Sequence, residues 1–121
     1  MKVLLDANFL VYCAAKKIDY VVEISNLMPD GYELAVPVQV VQELEKMEIN
    51  ARKYRDKMDA KLALQLLRFN KIKILKISGK DGDEALINAS EGNIVATVDF
   101  DLRKKVPRAI VMKRDGNIAF D

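Results

Sequence analysis

The sequence contains no histidine and no tryptophan, and Cys13 is its single cysteine. Without histidine, a Ser-His-Asp triad, a His-paired cysteine nucleophile and imidazole-based RNA hydrolysis are all closed to it. Zinc sites, which draw on His and several Cys, are closed as well. One cysteine cannot form an internal disulfide, which fits a reducing compartment. No apolar run reaches the roughly 18–20 residues that a membrane helix requires, because charges interrupt every long stretch. The opening Met1-Lys2-Val3-Leu4-Leu5-Asp6 places an acid too early for a signal-peptide core. The expectation is a cytoplasmic protein with no membrane partner, whose chemical tools are carboxylates, lysines, hydroxyls and bound hard cations.

What is present is 50% hydrophobic, the share of an ordinary globular chain. At 121 residues, a single domain spanning 1–121 is expected. The net charge of +2 conceals four blocks: residues 1–45 carry net −4, residues 46–80 net +8, residues 81–102 net −6, and residues 103–121 net +4. Such alternation suits acids gathered at one site between bases that grip an anionic polymer. It equally suits Lys and Arg that merely solvate helix faces.

Hydrophobic periodicity divides the chain into alternating strands and helices. Val3-Leu4-Leu5 reads as a buried strand. Asn8 to Lys17 has helical spacing, with Phe9, Leu10, Cys13 and Ala14 near one face. Asp19 caps a second helix carrying Val21, Val22, Ile24, Leu27 and Met28, stopped by Pro29-Asp30-Gly31. Leu34-Ala35-Val36 is strand two, and Pro37 leads into a helix over about Gln39–Glu48 with Val40, Val41, Leu44 and Met47 inward. Residues 50–61 are polar enough for a helical arm or a mobile crossing. Asp59–Phe69 is a helix with Leu62, Leu66 and Phe69 on one stripe. Ile72–Ile77 is strand three, Asp83–Ala89 a short helix with Leu86 and Ile87 buried, and Ile94–Val98 strand four. Asp99–Lys105 forms a short helix and Ala109–Met112 strand five. Asp115-Gly116, a hairpin dipeptide, allows Asn117–Phe120 to fold back as a sixth, edge strand. The fold class is therefore α/β, a three-layer α/β/α sandwich around a mostly parallel central sheet of about five strands.

Ligands of open α/β sheets bind beyond the carboxyl ends of the strands. Asp6 follows strand one and Asp99 follows strand four. Glu43 lies one turn into the helix after strand two, and Asp83, beside Asp81 and Glu84, starts the helix after strand three. Taken singly, each Asp has an ordinary explanation as a helix cap, and Glu43 as a solvated side chain. Four acids at equivalent places in four successive βα units point instead to one carboxylate cluster. Close carboxylates raise one another's pKa unless a cation neutralises them. An oxygen-only cluster suits Mg2+ or Mn2+, which can activate water and stabilise the leaving oxygen of a phosphodiester. Asn8 and Thr97 are candidate helpers, and Asp101 is a further candidate ligand two residues from Asp99. Tyr54, among Arg52, Lys53, Arg55 and Lys57, could stack on a base in a basic arm, or simply belong to a solvated helix.

Leu4-Leu5-Asp6-Ala7-Asn8-Phe9-Leu10, Glu43-Leu44-Glu45-Lys46, Asp83-Glu84-Ala85-Leu86-Ile87 and Val95-Ala96-Thr97-Val98-Asp99-Phe100-Asp101-Leu102 occur in that order across nearly the whole chain. The ordered set resembles the PIN domain family, closest in flavour to the PIN nucleases of small-subunit ribosomal RNA processing and their archaeal relatives. The resemblance implies Mg2+ or Mn2+ binding and endonucleolytic cleavage of single-stranded or structured RNA. By position it implies catalytic, metal-binding roles for Asp6, Glu43 and Asp99. Asp83 takes the remaining position because it precedes the Ala-Leu-Ile helix. That helix is a turn shorter than the family pattern, so the register among Asp81, Asp83 and Glu84 stays open. Asn8 and Thr97 match the family's polar helpers. Lys46, Arg52, Lys53, Arg55, Lys57, Arg103 and Lys104 are the expected RNA-backbone contacts, and a homodimer is expected because many PIN domains dimerise.

Three other settings remain open from sequence. The chain could be the toxin half of a toxin–antitoxin pair, which a neighbouring antitoxin gene would support. It could be a non-catalytic RNA- or protein-binding PIN module, which the filled acidic positions weaken. A phosphoacceptor receiver-like domain also gathers acids at strand ends, but here strand one lacks an adjacent acid pair and no evident lysine ends the last strand.

Overall fold

In the computed structural model, which describes residues 1–121, the chain runs β1 (Lys2–Leu5), α1 (Ala7–Lys16), α2 (Tyr20–Leu27), β2 (Glu33–Pro37), α3 (Val38–Asn50), α4 (Tyr54–Phe69), β3 (Lys73–Leu75), α5 (Gly82–Ala89), β4 (Ile94–Ala96), α6 (Phe100–Lys104), β5 (Ala109–Met112) and β6 (Ile118–Phe120). Val3, Leu4 and Leu5 are fully buried, as are Ile94, Val95 and Ala96. Strands apolar on both faces need cover on both, which is the pattern of a parallel sheet between helices. The six strands lie in the order β3-β2-β1-β4-β5-β6. The first five are parallel and only β6 is antiparallel, paired with β5. The sheet therefore has one strand more than the five expected as its frame. The extra one is the hairpin return over Asn117–Phe120, shorter by a residue at its start. The turn is held by Asp115, whose carboxylate accepts from the Asn117 amide at 3.0 Å, and by Gly116 at φ +86.

From β1 the chain steps outward through β2 to β3, then crosses back to place β4 on the other side of β1. The order reverses between β1 and β4, and a crevice opens there at the strands' carboxyl ends. Both strands end early: Asp6 follows β1 at once, and β4 stops at Ala96 rather than at Val98, releasing Thr97 and Val98 into the crevice loop.

The helices are as expected in number, with shifted bounds and faces. Residues 50–61 do not form a separate arm. Ala51–Lys53 is a brief break, and α4 begins at Tyr54 and packs on α3 and α1. The buried side of α4 is Ala60, Ala63, Leu64 and Leu67, whereas Leu62 is exposed and Phe69 is 81% exposed. The stripe of Leu62, Leu66 and Phe69 has the right spacing for a core face. Small Ala60 and Ala63 let α4 approach its neighbours closely and turn that stripe outward. In α2 the same kind of shift leaves Val22 exposed while Tyr20 and Ile24 enter the core. Asp19 does cap α2, accepting from Val22 at 3.3 Å.

The inward face of α4 predicts unequal costs for two neighbouring apolar side chains. In urea unfolding, Leu67→Ala should lose about 2–5 kcal/mol, while Phe69→Ser should stay within about 0.5 kcal/mol of wild type. Equal losses would mean that the outward stripe carries core packing.

Candidate active site

Asp6 occupies the N-cap position of α1, yet its side chain makes no capping hydrogen bond. Its carboxylate is 3% exposed and Oδ2 accepts from the Thr97 hydroxyl at 2.8 Å. The same hydroxyl oxygen accepts from the Asp99 amide at 2.9 Å. Thr97 is thus a hinge pin between the ends of β1 and β4, held in place because its own amide donates to Ile110 O of β5 at 3.1 Å. Asp99 keeps its ordinary structural role: Oδ1 caps α6, accepting from the Asp101 and Leu102 amides at 2.8 and 3.3 Å. No hydrogen bond uses its other oxygen.

The second half of the site comes from α3 and α5. Glu43 Oε1 accepts from the Gly82 amide at 2.6 Å, and Gly82 leads α5. One turn earlier on the same face of α3, Gln39 Nε2 donates to Ile77 O at 2.7 Å and Gly79 O at 2.9 Å. These bonds clamp the loop between β3 and α5 against α3 and set the start of α5. The helix begins one residue before Asp83, with Asp81 as its cap, accepting from the Glu84 amide at 2.9 Å. Asp81 thus caps α5 through one oxygen, as Asp99 caps α6.

Electrostatics separates the members of the cluster. Burial, and then the Asp83 charge, push the Asp6 carboxyl up to about 6, against the lowering hydrogen bond from Thr97. Glu43 is raised by partial burial, and further by Asp83 and Asp81, against the Gly82 amide and Lys46. Asp83 is raised by partial burial and then by Asp99 and Asp81, with Lys105 opposing. Asp83 thus enters the couplings of Asp6, Glu43 and Asp99, and Asp81 those of Glu43 and Asp83, while Glu84, exposed like Asp83, enters none. Asp83 is the one of the three neighbours whose charge reaches Asp6.

The remaining sequence candidates fall outside this group. Asn8 is exposed on α1 and makes no side-chain hydrogen bond to Asp6. Asp101 is exposed, and only its amide, not its carboxylate, binds Asp99. Lys46 approaches Glu43, and Arg52, Lys53 and Arg55 are exposed while Lys57 is half-buried. Arg103 pairs with Asp121 at 3.3 Å, and both Arg103 and Lys104 lie over the Phe100 ring. Three residues that sequence reasoning did not single out complete the site: Gln39, Gly82 and Lys105. Gln39 carries a legible signal, since it sits four residues before Glu43 and so shares its helix face. Gly82 and Lys105 carry none, because their roles depend on how α5 and α6 are placed.

The donor set fits a hard divalent cation. It is oxygen-only, its most buried member is an acid with one hydroxyl partner, and none of the four carboxylates forms an ion pair with a side chain. No three of them converge on one point at ligating distance.

Two outcomes follow from the unneutralised cluster. A carboxyl with a folded-state pKa above its ordinary 3.8 binds its proton better when folded, so Asp6 costs stability as pH rises from about 4 to 6. With chelator present, Asp6→Asn should match wild type below pH 4 and gain on the order of 3 kcal/mol by pH 7, measured by chemical unfolding across pH. A pH-independent difference would contradict the buried-charge account. Separately, a β-carbon at Gly82 would fall onto Glu43 Oε1. Gly82→Ala should therefore displace Glu43 and weaken Mn2+ binding in calorimetry, while Gly92→Ala, at a φ of +75 with open space around it, should leave Mn2+ binding unchanged.

Comparison with known proteins identifies the family and the fold. A family model described as "PIN like domain" matches residues 3–113. Ribonuclease VapC4 of Methanocaldococcus jannaschii is 29% identical over 108 residues, covering 87% of this chain and 82% of that protein. Among solved structures, the PIN domain endonuclease Utp24 superposes with a TM-score of 0.79 at 18% identity, over 99% of this chain and 90% of that one. VapBC2 from Rickettsia felis, solved bound to a promoter DNA fragment, gives a TM-score of 0.60 at 18% identity, over 88% of this chain and 94% of that one. With the family model spanning both halves of the carboxylate site, the chain belongs to the PIN-like domain family and has the fold of its nucleases.

Proposed function

We propose that the protein is a metal-dependent endoribonuclease in which Asp6, Glu43, Asp83 and Asp99 hold Mg2+ or Mn2+. The observation that carries this reading is the Thr97 hydroxyl tying Asp6 to the Asp99 loop at the β1/β4 crevice, with Asp83 interacting with all three other acids. When bound, the cation supplies an activated water and positive charge for the phosphate. The chain's residues do the rest. Thr97 fixes the orientation of Asp6, Glu43 anchors the start of α5, and Lys105 offsets the charge on Asp83. Lys46, Arg52, Lys53, Arg55, Lys57 and Lys104 are the contacts for the RNA backbone, and they make binding salt-dependent. The ordered motifs that resemble the PIN nucleases of small-subunit ribosomal RNA processing make a ribosomal precursor the substrate class to try first. No helix is long and apolar enough to cross a membrane.

A second reading, the toxin of a toxin–antitoxin pair, is favoured by the name of the VapC4 relative. It is also favoured by an apolar cleft of about 270 Å3 between α1 and α4, lined by Cys13, Ala14, Ile18, Leu62, Leu66 and Phe69. A silenced nuclease needs such a surface for its inhibitor, and a homodimer could use it instead.

The test is cleavage of a mixed RNA pool in Mn2+ by wild type, Asp6→Asn and Asp99→Asn, followed on denaturing gels. Wild type should cut and both variants should lose activity while remaining folded. Undiminished cutting by both variants would assign the activity to a contaminant. Salt-dependent binding without any cutting would make the chain a non-catalytic RNA-binding module.

A further inference from the structure

Phe100 stands directly after Asp99 and leads α6. It is 55% exposed, whereas Leu102 anchors the helix in the core at 2% exposure. Packing thus gives no reason for an aromatic side chain at position 100. Two cations lie over its ring: the Arg103 guanidinium at 4.3 Å from the centroid and the Lys104 ammonium at 4.2 Å. The ring forms one wall of a small cleft of about 70 Å3 that begins at Thr97 and Asp99 and runs over Val98, Val111 and Met112 to Arg103. One carboxylate, Asp99, thus shares a single cleft with apolar side chains, an aromatic ring and a guanidinium. Only the carboxylate is explained by cation chemistry.

We propose that Phe100 and Arg103 form a stacking subsite for the nucleobase next to the phosphate held at the carboxylates. The inference rests on the nuclease reading and narrows it to a strand whose bases are unpaired. The cleft is too small to enclose a base, so the base lies across its mouth with one face on the Phe100 ring, in place of the Lys104 ammonium, the end of a flexible side chain that lies over the ring in its absence. A base inside a duplex already has both faces covered and cannot do this. Stacking of this kind tolerates any base, because every base presents a π-face. Arg103 adds a cation that can reach the adjoining phosphate while still lying against the aromatic system. Its Nε is engaged by Asp121 at 3.3 Å, which steadies the guanidinium and leaves its other N–H groups free to donate.

The experiment uses the full chain with Mn2+ and a single-stranded RNA oligonucleotide carrying one 2-aminopurine, placed in turn on either side of the mapped cleavage position. Variants are Phe100→Leu, which keeps an apolar side chain without a π-face, and Phe100→Trp. Wild type should quench 2-aminopurine fluorescence at one of the two positions. Phe100→Leu should lose that quenching and raise KM roughly tenfold with little change in kcat, and Phe100→Trp should restore both. An abasic site at the same position should be equally poor for wild type and Phe100→Leu, because the missing partner is then the base itself. A Phe100→Leu variant with wild-type KM and wild-type quenching overturns the stacking subsite and leaves the nuclease reading intact. Wild type that neither binds nor cuts the strand overturns both.

Discussion

A single hydroxyl joins the two ends of the crevice. Thr97 donates to Asp6 and accepts from the Asp99 amide, and it can do both only because β4 stops one residue earlier and turns. The bond partly offsets a large burial cost, since the Asp6 carboxyl lies almost entirely inside the protein without an ion-pair partner. Folding alone therefore leaves this corner electrostatically incomplete. The deficit is one that a bound divalent cation would relieve.

The opposite half of the crevice is organised through backbone rather than charge. Gln39 and Glu43 hold three backbone groups of the loop before α5, and the absence of a side chain at Gly82 is what lets the Glu43 carboxylate close on that backbone. α3 thus works as a template on which an otherwise irregular segment is set. Asp83 inherits its position from this arrangement rather than from any bond of its own side chain. The two halves meet electrostatically, because the Asp83 charge acts on Asp6, Glu43 and Asp99.

The sequence reveals most of the architecture because parallel strands buried on both faces are short apolar runs. Val3–Leu5 and Ile94–Ala96 have no other reading. Asp6 and Asp99 are legible for the same reason: an acid at the end of such a run sits at the sheet's carboxyl edge whatever the helices do. Glu43 follows from helix phase. What is not legible depends on contacts across the chain. The three acids near the start of α5, Asp81, Asp83 and Glu84, cannot be told apart until Asp81 is seen capping and the Asp83 charge is seen to act on Asp6. The orientation of α4 is a second case, where two alanines decide by size what hydrophobicity alone assigns to the stripe of Leu62, Leu66 and Phe69. Lys105 is a third, brought to Asp83 only by the short turn of α6.

The two margins of the sheet are finished in different ways. On one side the hairpin return supplies an antiparallel strand that satisfies β5, and the chain's last residue is then pinned to α6 through Arg103. On the other side β3 presents an unpaired outer edge, only three residues long, next to the charges of Lys71, Lys73 and Lys76. Lys73 also reaches across to Glu33 of the neighbouring strand at 3.8 Å. A short margin studded with ammonium groups is a poor template for a foreign strand. The protein can consequently keep Ile74 half in water without inviting sheet-to-sheet growth. Edge-on polymerisation is discouraged at the β3 margin.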